Sequence, residues 1–281
     1  MTKSGKQGMS YCALLVRDQA PDRYLATLFA PGDAREALFA LYAFDHEIGK
    51  VRHVVSQTMA GLIRLQWWRE ALDAIAADRP PAQPVAEALH RALGDLAITR
   101  AGLEAAIDAR ERELEDPPLP TLAALEQRLE ATSGGITLAA LGILGGTGSA
   151  ALEAGRRVGL TVGLADLLRT LDLDLRHGRL LLPAAELARH GIALEPLPEA
   201  DPSLAPVVAT IAERGLAHLA AARAHRQAVP AAALAALLPG TLAGAYLRRL
   251  RRTGDFRSAA LARRPALAPL TLLWRRATGR F

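Results

Sequence analysis

Apolar positions recur every three or four residues along most of the chain, and proline, glycine and aspartate cut that pattern into segments of helical length. Pro21-Asp22 starts one such segment, Pro31-Gly32-Asp33 closes it and caps the next, and the run 59–75 follows Ser56. Further helices are predicted over 152–175, 183–189, 204–227, 231–252 and 266–277. Breaks fall at Pro80-Pro81 and Pro84, at Asp116-Pro117-Pro118-Leu119-Pro120 and at Gly145-Gly146-Thr147-Gly148, each too short for an interdomain linker. No stretch alternates with period two, and no repeat is visible. The pattern predicts an all-α chain: a loose polar tail over 1–8, then one helical domain over 9–281 built around a central cavity.

Composition sharpens this picture. Hydrophobic residues make up 51% of the 281 residues but aromatics only 4%, so the core is built from Ala, Leu, Val and Ile, of which Ala and Leu favour helices. Gly134-Gly135, Gly159 and Gly163 then read as points of close helix packing or kinks. A single cysteine, Cys12, forms no internal disulfide, and no secretory signal pattern is seen, which points to a reducing, cytoplasmic location. No run approaches the ~20 apolar residues that a spanning helix needs.

Charge adds one candidate surface. The net charge of +5 is concentrated towards the C-terminus, where ten arginines between Arg248 and Arg280 have only Asp255 as an acidic neighbour. Trp274, Arg275 and Arg276 follow an apolar run over 270–273, the pattern of an interfacial helix on an anionic membrane surface. No motif suggests a nucleic-acid partner.

Four segments carry a resemblance. Tyr24 to Pro31 reads YLATLFAP, residues 35–44 read REALFALYAF, and 64–72 read RLQWWREAL; further on, Asp172-Leu173-Asp174 leads into Gly178-Arg179-Leu180-Leu181-Leu182-Pro183. In order and spacing this is similar to squalene and phytoene synthases. The resemblance implies their fold, an isoprenoid-synthase-type helical bundle around a cavity. Prenyl transfer by that family starts with departure of diphosphate, whose charge magnesium must bridge to the protein through oxygen ligands. The family supplies those ligands from two aspartate-bearing helices.

Here both helices depart from the pattern. The first pair of aspartates falls on Gly49 and Lys50 and the third on His53; the second set falls on Asp166, Thr170 and Asp174. Asp45 and Glu47 lie about a turn too early to replace them and are expected to be solvated or capping carboxylates. The family's Ser-x-Ser-Phe becomes Pro21-Asp22-Arg23-Tyr24, which removes hydroxyls. Arg169 and Arg179 match family positions and suit either phosphate or a nearby aspartate. His46, Lys50 and His53 share a helical face, and Lys50 is expected to reach Asp166 or Asp174 and stand in for the missing metal charge.

Phe44-Asp45-His46-Glu47 and Leu168-Arg169-Thr170 are similar to the family branch that assists assembly of respiratory complex I, the NADH:ubiquinone oxidoreductase. That likeness implies a protein with no catalytic residues and no cofactor, whose partners are complex I subunits or assembly intermediates. It further implies a location on the inner face of the cytoplasmic membrane. Two other readings stay open: an active prenyltransferase, which alone would require Mg2+, and a module that holds an isoprenoid or lipid in the cavity. Cavity-lining or anion-binding candidates are His46, Lys50, His53, Asp166, Arg169, Thr170, Asp174 and Arg179.

Overall fold

The computed structural model describes residues 8–55, 57–95, 100–114, 119–193, 202–257 and 265–281. Residues 1–7 of the predicted tail, and Asp116-Pro117-Pro118 of the second break, lie outside these. The helices are α1 (Tyr11–Gln19), α2 (Pro21–Thr27), α3 (Arg35–Gly49), α4 (Val51–Val54), α5 (Thr58–Ala76), α6 (Pro84–Asp95) and α7 (Arg100–Leu114). They continue as α8 (Leu122–Leu129), α9 (Gly135–Ile143), α10 (Ser149–Arg176), α11 (Ala184–Arg189), α12 (Ala205–Ala224), α13 (Leu234–Thr253) and α14 (Ala268–Ala277). Among the described residues there is no strand. The fold is all-α.

Helix α10 is the axis of the molecule. Its residues from Val158 to Ala165 are buried on every side, as expected of a helix that is apolar all round rather than along one stripe. Helices α9, α12 and α13 pack against it, while α3 is held between α1, α6 and α9. One continuous apolar cluster runs through these helices, mostly Leu, Ala and Val with few rings. Phe44 meets the Trp68 ring edge-on at 5.3 Å, which gives Trp68 of the WWRE segment a packing role.

Small residues permit the closest approach. Between α8 and α9 the chain widens into a π turn over Glu130–Gly134, and this turn lies against Gly159 of α10. A Cβ built on Gly159 would stand 2.5 Å from Gly134 Cα and 2.9 Å from the Ser133 carbonyl oxygen. Of the glycines expected to allow close packing, Gly134 and Gly159 meet backbone against backbone and Gly163 meets the side chains of Leu129 and Ser133, while a Cβ on Gly135 would meet nothing within 4 Å. Helix α13 ends on Gly254 at φ 62°, where a residue with a Cβ would be strained.

Candidate functional site: a cavity with internally paired charges

A cavity of about 560 Å³ opens among α2, α3, α4, α7, α8, the π turn, α10 and α13. Its inner wall is apolar, with Leu125, Leu129, Val162, Leu167 and Ala243, and its other walls carry charge. Six cationic side chains line it, Arg23, Lys50, Arg52, Arg110, Arg128 and Arg169, against five carboxylates, Asp22, Asp45, Glu113, Asp166 and Asp174. Of the eight candidates named from the sequence, seven line the cavity, and Arg179 sits behind His53.

Asp45 is a correction to the sequence reading. Far from being solvated, it is buried, and it accepts hydrogen bonds from Arg23 of α2 and, at 3.2 Å, from Arg110 of α7. Arg110 also holds Glu113 at 2.9 Å, and Arg23 lies 5.1 Å from the Tyr42 ring centre. Burial alone would push the Asp45 carboxyl up, but Arg23 and Arg110 outweigh it and leave the group below the ordinary carboxylate range. Burial raises the Tyr42 phenol to about 12.

Lys50 is a second correction. Its ammonium donates to Glu47 Oε1 at 2.6 Å rather than reaching across to Asp166 or Asp174. The physical reason is local: Glu47, three residues back, lies on the same side of the helix, while the aspartates belong to another wall. The charge expected of Lys50 comes instead from arginines, chiefly Arg23 and Arg169.

On α10, Arg169 lies 3.4 Å from both Asp166 Oδ1 and Asp22 Oδ2, with its guanidinium 4.3 Å above the Tyr246 ring. Asp166 is half exposed into the cavity, yet protein encloses that space; the resulting desolvation raises its carboxyl above the ordinary range despite Arg169 and Arg23. Thr170 donates its hydroxyl to Asp174 Oδ2 at 2.8 Å, leaving buried Asp174 Oδ1 without a hydrogen-bond partner among the described residues. Asp172 faces away from the cavity and accepts from Arg176 at 3.1 Å. Arg179 is 3.0 Å from His53 Nδ1 and donates to the Arg52 carbonyl at 2.7 Å. Burial, the largest influence on each, lowers both His46 and His53 and so favours their neutral forms.

Arg110 and Glu113 were not found from the sequence, and Arg23 was read only as a lost hydroxyl. The signal for a buried partner was present: Asp45 stands four and seven residues after Leu41 and Leu38, both fully buried, so it continues a core stripe. Away from the cavity, α14 buries Ala268 and Leu272 against the body but leaves Leu270, Leu273 and Trp274 each more than half exposed.

An all-helical bundle enclosing a cavity lined by the positions of both motifs, Gly49, Lys50 and His53 on one side and Asp166, Thr170 and Asp174 of α10 on the other, defines a protein of the isoprenoid-synthase class. The fold is shared with squalene synthase HpnC from Alicyclobacillus acidocaldarius, at TM-score 0.75 and 21% identity over 86% of this chain and 92% of that one. A dehydrosqualene synthase aligns at TM-score 0.74 and 18% identity over 95% of this chain and 94% of that one. The sequence model of the squalene/phytoene synthase family matches residues 16–270, and the chain belongs to that family. Among characterised relatives, the bovine NADH dehydrogenase (ubiquinone) complex I assembly factor 6 is 31% identical over 95% of this chain and 82% of its own length. Presqualene diphosphate synthase of Rhodopseudomonas palustris is 30% identical over 71% of this chain and 72% of its own length.

Proposed function

We propose that this chain is a non-catalytic member of its family that assists assembly of respiratory complex I from the inner face of the cytoplasmic membrane. The observation that carries the non-catalytic part is Asp45, a buried carboxylate one turn before the lost first motif, engaged by two of the chain's own arginines. The likeness to complex I assembly factors over nearly the whole chain supports the biological role.

The donor set does not fit magnesium. That ion wants oxygen ligands in near-octahedral array. The first motif offers Gly49, Lys50 and His53, Lys50 brings a cation, and the second motif has a threonine between two aspartates that are two helical turns, ~12 Å, apart.

A second reading, prenyl transfer, is favoured by the likeness to presqualene diphosphate synthase and by Arg169 beside the cavity. A strain lacking the gene separates the two. On the assembly reading it loses most assembled NADH:ubiquinone oxidoreductase activity while its C30 and C40 isoprenoids are unchanged; the reverse pattern defeats that reading. Purified protein given farnesyl or geranylgeranyl diphosphate and excess magnesium is expected to yield no product above a protein-free control.

Membrane attachment on this reading is peripheral. No described helix is long and apolar enough to cross a bilayer, and the outward stripe of Leu267, Leu270, Leu273 and Trp274 is the contact surface, flanked by Arg275 and Arg276. Sedimentation with vesicles should rise with anionic lipid and fall with salt, because each near-surface cation contributes about 1 kcal/mol that salt screens.

A further inference from the structure

Three helices bring arginines together beside the exposed stripe of α14. Arg223 ends α12, Arg248 lies on α13 and Arg275 on α14; α13 packs against both of the others. None of the three has an ion-pair partner among the described residues. Arg223 Nε donates to the Phe281 carbonyl oxygen at 2.6 Å, but its Nη2, like Arg275 Nε, is buried with no hydrogen-bond partner there. Asp255, the nearby acid in the sequence, is taken by Arg257 at 2.9 Å.

Such a cluster is costly unless something shares it. A buried guanidinium nitrogen without an acceptor gives up its hydration for nothing, and like charges at close range repel. The strain is visible in the proton affinities. Burial, then Arg275 and Arg248, pull Arg223 down to about 10, while burial and neighbouring arginines also lower Arg248 and Arg275. The neighbouring charges that lower them are all arginines. Arg23 and Arg110, which are more deeply enclosed than half-buried Arg223 and Arg275 or exposed Arg248, each have a carboxylate, although Arg110 Nε is likewise buried without a hydrogen-bond partner among the described residues. The cavity solves its charge problem internally, and this cluster does not.

The geometry points to a recognition site for the phosphate of an anionic phospholipid at Arg223, Arg248 and Arg275, with the acyl region laid along Leu270, Leu273 and Trp274. Guanidinium forks match phosphate oxygens pairwise. The phosphate end and the apolar end meet at Trp274, whose ring lies 5.3 Å from the Arg275 guanidinium and 5.6 Å from that of Arg280. A free phosphate would satisfy the arginines but leave the stripe bare. A lipid headgroup at a bilayer surface satisfies both, and its negative potential complements four cations at this edge. This inference rests on the peripheral-membrane reading above and specifies its contact.

The test keeps charge constant. In Arg248→Lys with Arg275→Lys the net charge is unchanged and Arg223, which holds Phe281, is left in place. Binding of the full chain is measured on phosphatidylcholine vesicles with and without phosphatidylglycerol, and melting temperature is followed with soluble dihexanoyl phosphatidylglycerol and with inorganic phosphate. A built site predicts that the lysine variant binds phosphatidylglycerol vesicles on the order of tenfold more weakly, the scale of one charge-assisted hydrogen bond. It also predicts that the short-chain lipid raises the melting temperature of the parent protein more than of the variant. Equal vesicle binding by both proteins overturns the site and leaves only a diffuse positive field. Stabilisation by inorganic phosphate equal to that by the lipid overturns the lipid assignment. If the parent ignores anionic vesicles but is still stabilised by the short-chain lipid in the arginine-dependent way, the membrane reading fails while the site is supported.

Discussion

Replacing Asp45 with leucine is expected to destabilise the protein by about 3–5 kcal/mol, the cost of leaving a buried charge without its partner. Arg23 has Asp45 as its only ion-pair partner among the described residues and is nearly as buried, so it becomes the uncompensated group. Arg110 loses less, because Glu113 remains at 2.9 Å. Adding Arg23→Met to Asp45→Leu should therefore restore most of the loss, since apolar replacements of a whole buried pair are often neutral or stabilising. Chemical denaturation of the parent, both single variants and the double variant forms the cycle. If the double variant is as unstable as Asp45→Leu alone, the pair is not the unit described.

The same group shapes the acid limb of stability. Burial raises the Asp45 carboxyl, but Arg23 and Arg110 more than reverse this, so its folded value lies below its unfolded one. Its contribution is complete above the unfolded value of about 3.9 and is lost as pH falls through the depressed folded value. Asp166 has the opposite sign: its raised carboxyl means that ionisation costs stability at neutral pH, and acid relieves that cost. In the double variant the fall in stability below pH 4 should be shallower than in the parent.

Gly159→Ala is the second large effect, expected at about 1–3 kcal/mol of destabilisation although alanine is the better helix former by about 1 kcal/mol. The added methyl would meet the backbone of the π turn at Gly134 and Ser133, and neither atom can rotate away. Gly155→Ala, one turn earlier on α10, is the internal control. There the Cβ would meet the Cδ1 end of Leu141, a flexible side chain that can change rotamer, so the cost should be smaller. Thermal melts of the two variants decide it. Equal destabilisation would mean that the π turn yields as easily as a leucine, contrary to the close backbone packing seen here.

Much of the framework was legible in the sequence because helical period and breaker residues act locally. The segment predicted at 152–175 is α10 (Ser149–Arg176), and that at 266–277 is α14 (Ala268–Ala277). Boundaries moved where local signals compete: the prediction of 231–252 begins three residues early because Pro230 is followed by a turn before α13 starts at Leu234. The cavity residues were found as a set, but their pairing was not. Lys50 shows why: proximity along a helix favours Glu47, and only the three-dimensional arrangement reveals that α2 and α7 already supply Arg23 and Arg110 to Asp45. The partner of Asp45 on α7 lies 65 residues away in the chain, a distance over which no local pattern carries information.

The near balance of six cations and five carboxylates around the cavity has a kinetic consequence. Field lines that close between neighbouring side chains do not extend past the rim, so the cavity neither attracts nor repels an ion approaching from solution. A molecule that enters is steered little by the cavity's own charges, so its rate should depend only weakly on ionic strength. The arginine-rich edge at α14 has no such internal closure, and its encounters accelerate as salt is withdrawn. One chain thus presents two faces to the same electrolyte, one silent and one loud.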